Sequence, residues 1–215
     1  MNPPSFIQVE LLSDTTFSRG EGLAGIVDVE VEHDDLGLPI LGGKTLRGLI
    51  REGWLNMREF FPELWIASER IFGQEADVNE TSILQISDAV VDSPGDDSIN
   101  NWIRTVENRE QDAINPVAVF ESLTAIRQQT SEDRRTGAPA TKTLRSVRGV
   151  IRGIKLKAPL FWMETPDDDE CRCLALTLLA TRHAGLGRNR GRGHVRMTLD
   201  GKIDTTKVMA TGERQ

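Results

Sequence analysis

The chain has 215 residues, 33 acidic against 26 basic side chains, a formal net charge of −7, no tyrosine and 5% aromatic residues. That length suits one elaborated domain with a sizeable core; the few aromatics argue against a single-strand binder built on stacked rings, and no apolar run approaches a membrane span. Met1-Asn2-Pro3-Pro4 lacks the basic start and apolar stretch of a signal peptide, and Cys171 and Cys173 stand too close for an ordinary disulfide with no second pair to make a zinc site, so a reducing cytoplasm is expected.

Phe6 to Leu12 predicts a strand with Ile7, Val9 and Leu11 on one face. A glycine-rich loop follows at Ser18 to Gly25, and then an alternating segment, Ile26 to Asp35. If extended, it places Val27, Val29 and Val31 on one face and Asp28, Glu30 and Glu32 on the other, where they would be solvated. Gly43-Lys44-Thr45 looks like the close of a phosphate-binding loop. The spacing fails: Gly37 to Gly43 encloses one residue too many, Gly42 is followed by Gly43 instead of lysine, and Leu38-Pro39-Ile40-Leu41 is apolar and stiff.

A helix is predicted from this point to Pro62. Leu46, Leu49, Ile50, Gly53, Trp54, Met57 and Phe61 face a core, while Lys44, Arg47 and Arg51 share another face near the amino end, where an anion is favoured. Ser82 to Val91 predicts a strand, and residues 92–112 an acidic insertion anchored by Trp102. Residues 113–129 suit strand or helix equally, and 130–141 have the composition of a hairpin tip. Leu144 to Met163 predicts a long extended stretch that supplies a central strand, Cys171 to His183 a second helix, and His194 to Leu199 the last strand; a polar tail follows, residues 206–215 lying outside a domain that spans 1–205.

Despite the acidic total, charge is segregated. Lys142 to Lys157 carries six basic and no acidic residues, and Thr181 to Thr198 carries five arginines, two histidines and no acid. A local anion site is compatible with such a distribution. Its centre is Gly185-Leu186-Gly187-Arg188-Asn189-Arg190-Gly191-Arg192-Gly193. Glycine allows positive φ and close backbone approach, and arginine presents a planar fork of donors to phosphate. A dinucleotide-binding turn is excluded because its spacing differs and its flanks run strand to helix, the reverse of the order here.

Without the insertions, the order is strand, helix, strand, strand, helix, strand: an α+β, ferredoxin-like arrangement shared with RNA-recognition domains. The sheet lacks the aromatic signature of those domains, so RNA contacts are expected in loops and at helix ends.

Four motifs in this order resemble the RAMP superfamily of CRISPR-associated proteins, and within it the small backbone subunits of type III effector complexes. Leu38 to Arg51 resembles that family's Pro-Gly-Ser-Ser-Leu-Lys-Gly block, Arg70-Ile71-Phe72-Gly73 its Leu-Phe-Gly segment, Gly137-Ala138 to Leu144-Arg145 its projecting thumb hairpin (an insertion near 128–148), and Gly185 to Val195 its glycine-rich loop. The resemblance implies that Lys44, Arg47, Arg51, Lys142, Arg145, Arg188, Arg190 and Arg192 bind RNA. It implies as partners CRISPR RNA, a complementary target RNA, other effector subunits and further copies of the chain, with no membrane.

It also implies a nuclease site at Asp28 in Gly25-Ile26-Val27-Asp28, which would hold Mg²⁺ or another divalent cation while a ribose 2′-hydroxyl attacks the adjacent phosphate. Asp34 and Asp35 are the alternatives if the loop folds differently. The chain departs from the family pattern at Leu41-Gly42-Gly43-Lys44 and has no proline after Asp28. Two other readings stay open: a structural backbone subunit that does not cut, and a guide-RNA-processing ribonuclease using a histidine, for which only His33 is near the loop and His194 is structural.

Overall fold

A computed structural model describes residues 2–18, 20–23, 25–73, 82–91, 115–131, 135–141 and 143–212. In chain order its elements are β1 (Phe6–Leu11), α1 (Gly43–Leu55), α2 (Trp65–Phe72), β2 (Leu84–Ile86), β3 (Val90–Val91), α3 (Pro116–Leu123), β4 (Thr124–Gln129), β5 (Arg145–Val150), β6 (Lys155–Trp162), α4 (Asp168–Ala180), β7 (Val195–Leu199) and α5 (Ile203–Thr211). The main sheet is antiparallel with order β2-β6-β1-β7, and β3 also pairs with β6. Counting β2 and β3 as one broken strand gives the fourth-first-third-second order of the ferredoxin-like fold.

Alternation in β1 buries Ile7, Val9 and Leu11, and β6 presents Leu156, Ala158 and Leu160 beside them. Helices cover this face. Leu46, Ile50 and Trp54 of α1, Ile71 of α2, and Leu174 and Leu178 of α4 join the same cluster, each large side chain contributing about 1.5–3 kcal/mol through burial. The predicted first helix ends early, at Leu55; two 3₁₀ turns, Arg58–Phe60 and Pro62–Leu64, then lead into α2. Residues 113–129 divide between α3, capped by the Asn115 side chain at the Ala118 N–H (2.8 Å), and β4. The acidic insertion and Trp102 lie outside the described residues.

The acidic run before the second helix has a local purpose. Asp167 and Glu170 form a reciprocal capping box, and buried Glu170 and exposed Glu164 both accept hydrogen bonds from Arg70. The helix therefore starts at Asp168 and ends at Ala180, three residues earlier at each end than its apolar pattern suggests. Burial and the neighbouring Glu170, Asp168 and Asp167 push the Cys171 thiol up to about 11. Burial pushes Cys173 to about 12 against a smaller opposing hydrogen bond with Thr177, so both thiols are protonated and unreactive at neutral pH.

Three further expectations are corrected. The stretch from Leu144 to Met163 does supply a central strand, β6, but is not continuously extended: β5 belongs to a hairpin and is separated from β6 by a turn at residues 151–154 in which Gly153 has φ 90°. The segment expected to be a polar tail is helical as far as Thr211: α5 packs on α4, buries Thr206 and Ala210, and receives the Leu199 N–H on Thr206 Oγ1 at 2.9 Å. Residues 26–35 form isolated bridges instead of a strand.

β4 and β5 make a separate two-stranded hairpin, in register from Thr124↔Val150 to Gln129↔Arg145. Its root is stitched to the segment between β1 and α1 by Thr15↔Val150 and by a parallel bridge, Val29↔Val147. Arg148 lies inside this junction. Its Nε is 2.9 Å from Glu30 Oε1, its Nη1 donates to Thr124 Oγ1 at 3.3 Å, and its guanidinium stands 5.0 Å from the Phe120 ring centre. The two side chains of the pair are only 9% and 5% exposed, so Glu30 is not on a solvated face with Asp28 and Glu32.

Removing one member of such a pair leaves a buried charge uncompensated, at a cost of about 3–5 kcal/mol. Arg148→Met should therefore lower stability in urea unfolding by about that amount, and the double variant Glu30→Met, Arg148→Met should recover most of it. Equal destabilisation of the single and double variants would show that the charges are not coupled.

Candidate nucleic-acid interface

The glycine-arginine loop links α4 to β7. Across its neck, the Ala184 N–H donates to Gly193 O at 2.8 Å and the Val195 N–H to Arg182 O at 2.9 Å, bringing the His183 and His194 rings into a stack at 5.4 Å. Two glycines are required by this closure. At Gly185 (φ 75°) a Cβ would lie 2.3 Å from Thr16 O, and at Gly193 (φ 71°) 2.0 Å from Ala184 O. Both approaches are closer than a carbon atom can tolerate. The Leu186 N–H donates to Thr16 O at 3.0 Å and the Gly193 N–H to Asp14 O at 3.1 Å, which fixes the loop against the segment after β1.

Between the loop, α1 and the hairpin lies an open cleft of about 750 Å³, lined by Arg188, Arg190, Arg192, Gln129, Thr16 and His183 among others. Arg188 is held by Glu52 of α1 (3.0 Å), and Arg190 donates to Gln129 Oε1 of β4 (3.2 Å). Arg192 also lines a neighbouring cleft of about 510 Å³ with Arg127, Arg152 and Asp14. These guanidiniums form a cationic rim on an acidic protein, and their ion pairs at the exposed surface are weak enough to be exchanged for phosphate.

The structure brings together part of the set expected from sequence. Arg188, Arg190 and Arg192 share the cleft, and Arg145 is exposed opposite Gln129 at the start of β5. Lys44, Arg47 and Arg51 do not converge on an open helix end. The Gly43 N–H donates to Asp88 Oδ1 at 2.7 Å, so a carboxylate of this chain already occupies the amino end of α1. Arg47 donates to Phe72 O at 3.1 Å, Lys44 is exposed, and Arg51 lines another cleft against α2. Lys142 lies outside the described residues.

Asp28 is exposed beside the hairpin, where its Oδ2 accepts the Ser146 N–H at 2.6 Å and its own N–H donates to Ser146 O at 2.9 Å. Among the described residues, no three His, Cys, Asp or Glu side chains gather as a metal site. Asp28 fits a divalent cation only as one carboxylate ligand, with phosphate oxygens and water completing the shell. Asp34 is engaged otherwise, its Oδ1 accepting the Leu36 and Leu38 N–H groups at 2.9 and 2.8 Å. The His33 ring packs 4.5 Å from that of Phe120.

Sequence reasoning missed Arg127, Arg152, Asp14 and Gln129 because strand pairing, not proximity in the chain, assembles them. A usable signal was present for Arg148, a lone charge within the buried run Val147 to Val150 that demands a partner.

An α+β ferredoxin-like core, a projecting hairpin and a glycine-arginine loop set beside the hairpin root define the class of protein. Residues 8–196 match the family model of the RAMP superfamily, and the chain belongs to that superfamily. Among solved structures, it is similar to a chain of the type III-B Cmr-beta complex bound to cognate target RNA, with TM-score 0.67, 12% identity and coverage of 94% of this chain and 98% of that one. It is also similar to a chain of the apo type III-B Cmr-beta complex, with TM-score 0.65, 14% identity and coverage of 93% and 98%. No curated protein matches. Among the described residues, no helix is long and apolar enough to cross a membrane.

Asp14 gives the region a pH dependence. Its partial burial raises the carboxyl pKa, but hydrogen bonds from Arg127 and the Arg152 N–H, together with both positive charges, outweigh it and hold the group below its ordinary value. A depressed carboxylate contributes stability that is present above its unfolded pKa, about 4, and is lost as pH falls through the folded value. Asp14→Asn should therefore be less stable than wild type at pH 7, with the difference shrinking below about pH 4 in acid titrations of unfolding. A difference independent of pH would exclude this linkage.

Proposed function

We propose that the chain is an RNA-binding backbone subunit of a type III CRISPR interference complex, holding guide RNA and cutting complementary target RNA. The cleft where Arg188, Arg190 and Arg192 meet the hairpin carries the binding part of this reading. Membership of the RAMP superfamily and likeness to chains of Cmr-beta complexes, one of them bound to cognate target RNA, support it. The arginines take phosphates of the guide, while the hairpin stands beside the same cleft and meets the guide–target duplex. Other effector subunits and further copies of the chain are the protein partners.

Neutralising Arg188, Arg190 and Arg192 to glutamine should weaken RNA binding and reduce the slope of log affinity against log salt by up to about 0.7 for each phosphate that is no longer paired with a guanidinium. Fluorescence anisotropy over a salt series checks this. An unchanged slope would return the loop to an ordinary surface turn.

For cleavage, Asp28 is the catalytic candidate. Bound Mg²⁺ would supply neutralisation of charge at the scissile phosphate while the ribose 2′-oxygen, its proton passing to water, attacks phosphorus and the 5′-oxygen of the next nucleotide leaves as a hydroxyl, giving a 2′,3′-cyclic phosphate. Asp28 orients one carboxylate edge by accepting the Ser146 N–H, leaving the other edge for the cation. That same hydrogen bond supports a second reading, in which Asp28 only anchors the hairpin and the subunit binds without cutting. Asp28→Asn separates them, since the amide oxygen can still accept from Ser146 but the charge is gone. In the assembled complex, a catalytic Asp28 predicts unchanged target binding with cutting slowed about a hundredfold or more; cutting at the wild-type rate would leave only the anchor.

A further inference from the structure

α1 separates two clefts. Glu52 faces the cleft of the glycine-arginine loop, while Arg51, Trp54 and Leu55 line a second one of about 290 Å³, closed on its other side by Trp65, Glu69 and Phe72 of α2. Trp65 is 47% exposed, an unusual position for the largest apolar side chain in a folded domain. Arg58, from the 3₁₀ turn between the helices, lies over the Trp65 ring at 5.3 Å. Neither Arg51 nor Arg58 is held by a carboxylate among the described residues.

We propose that this second cleft is a nucleobase site for a single-stranded stretch of RNA leaving the arginine-lined cleft, a proposal that rests on the RNA-binding reading above. A planar guanidinium on an indole presents a flat, cationic platform on which a base can stack. Arg51 offers a second fork of donors for the phosphate of the same nucleotide. Ser68 is already used, its hydroxyl donating to Trp65 O at 2.6 Å. Glu69 is the carboxylate that lines the cleft, and as an acceptor it favours bases with an exocyclic amino group over uracil. Between the two clefts Lys44 and Gly48 are exposed on the outer face of α1, and apart from Gly48's own stretch of helix nothing lies within 4 Å of where a side chain there would begin. A sugar-phosphate chain can therefore cross the helix there. The cationic rim favours this occupant over an apolar protein segment, for which exposed Phe60 and Ile66 nearby are the opposing observation.

The test titrates the full chain with oligo(rA) and oligo(rU), following tryptophan emission and the anisotropy of labelled RNA together, in wild type, Trp65→Phe, Trp65→Ala and Arg58→Lys. Oligo(rA) should quench wild-type emission more than oligo(rU), Trp65→Phe should lose most of that quench, and Trp65→Ala should bind oligo(rA) about fivefold or more weakly. Arg58→Lys, which keeps charge but not the flat platform, should also weaken oligo(rA) binding. Wild-type RNA affinity in Trp65→Ala with the same quench in Trp65→Phe overturns the proposal, as does unchanged RNA binding with loss of a protein partner from the assembled complex. If the wild-type chain shows no anisotropy change at all, the RNA-binding reading itself fails; if it binds RNA with unaltered emission, only the nucleobase site does.

Discussion

The buried pair of Glu30 and Arg148 is the constraint on which the functional half of the molecule depends. The ferredoxin-like core closes chiefly through ordinary apolar packing of β1, β6 and α4, to which the hairpin adds only Val150 at its root. The hairpin, by contrast, shares a ladder only between its own two strands, and two strands alone are marginal in water. Arg148 joins it to the rest: one guanidinium binds the loop segment through Glu30, β4 through Thr124, and α3 through the Phe120 face. Such a network specifies one arrangement because a misplaced partner leaves a charge without compensation in a dry setting.

That arrangement positions the candidate residues. Asp28 is two residues before Glu30 and shares backbone and side-chain hydrogen bonds with Ser146, two residues before Arg148. Gln129, at the far end of the same hairpin register, reaches Arg190 of the glycine-arginine loop. The segment after β1 receives both the hairpin root and that loop through Thr15 and Thr16. The acidic candidate and the basic cleft are thus set by one junction, although they come from opposite ends of the chain. The net negative charge does not oppose this, because carboxylates such as Glu170, Glu30 and Asp88 are consumed in internal bonds.

Much of the core was legible because it follows from local period. The alternation of Ile7, Val9 and Leu11 and the apolar run of Cys173 to Leu178 each require a buried face, and the order of elements leads to the ferredoxin-like sheet. The positive φ of the loop's four glycines was equally legible, since glycine is the residue that adopts it freely. What escaped has no local signature. Burial of Glu30 depends on a partner 118 residues away, and Asp88 reaches the start of α1 across 45. Asp167 and Glu170 were a different case, since their spacing before an apolar helix is that of a capping box. α5 has the polar composition of a tail in Thr205, Thr206 and Lys207, yet the Thr206 hydroxyl is buried with its bonds satisfied by Leu199 and Lys202.

The binding surface proposed for RNA is the cleft between the glycine-arginine loop and the hairpin. Ultraviolet cross-linking of the assembled complex to guide and target RNA, with the attached peptides identified by mass spectrometry, tests it most directly. Attachment is predicted within residues 183–193 and on the strand that carries Gln129. Attachment confined to α4, α5 and the faces far from Arg188, Arg190 and Arg192 would contradict it.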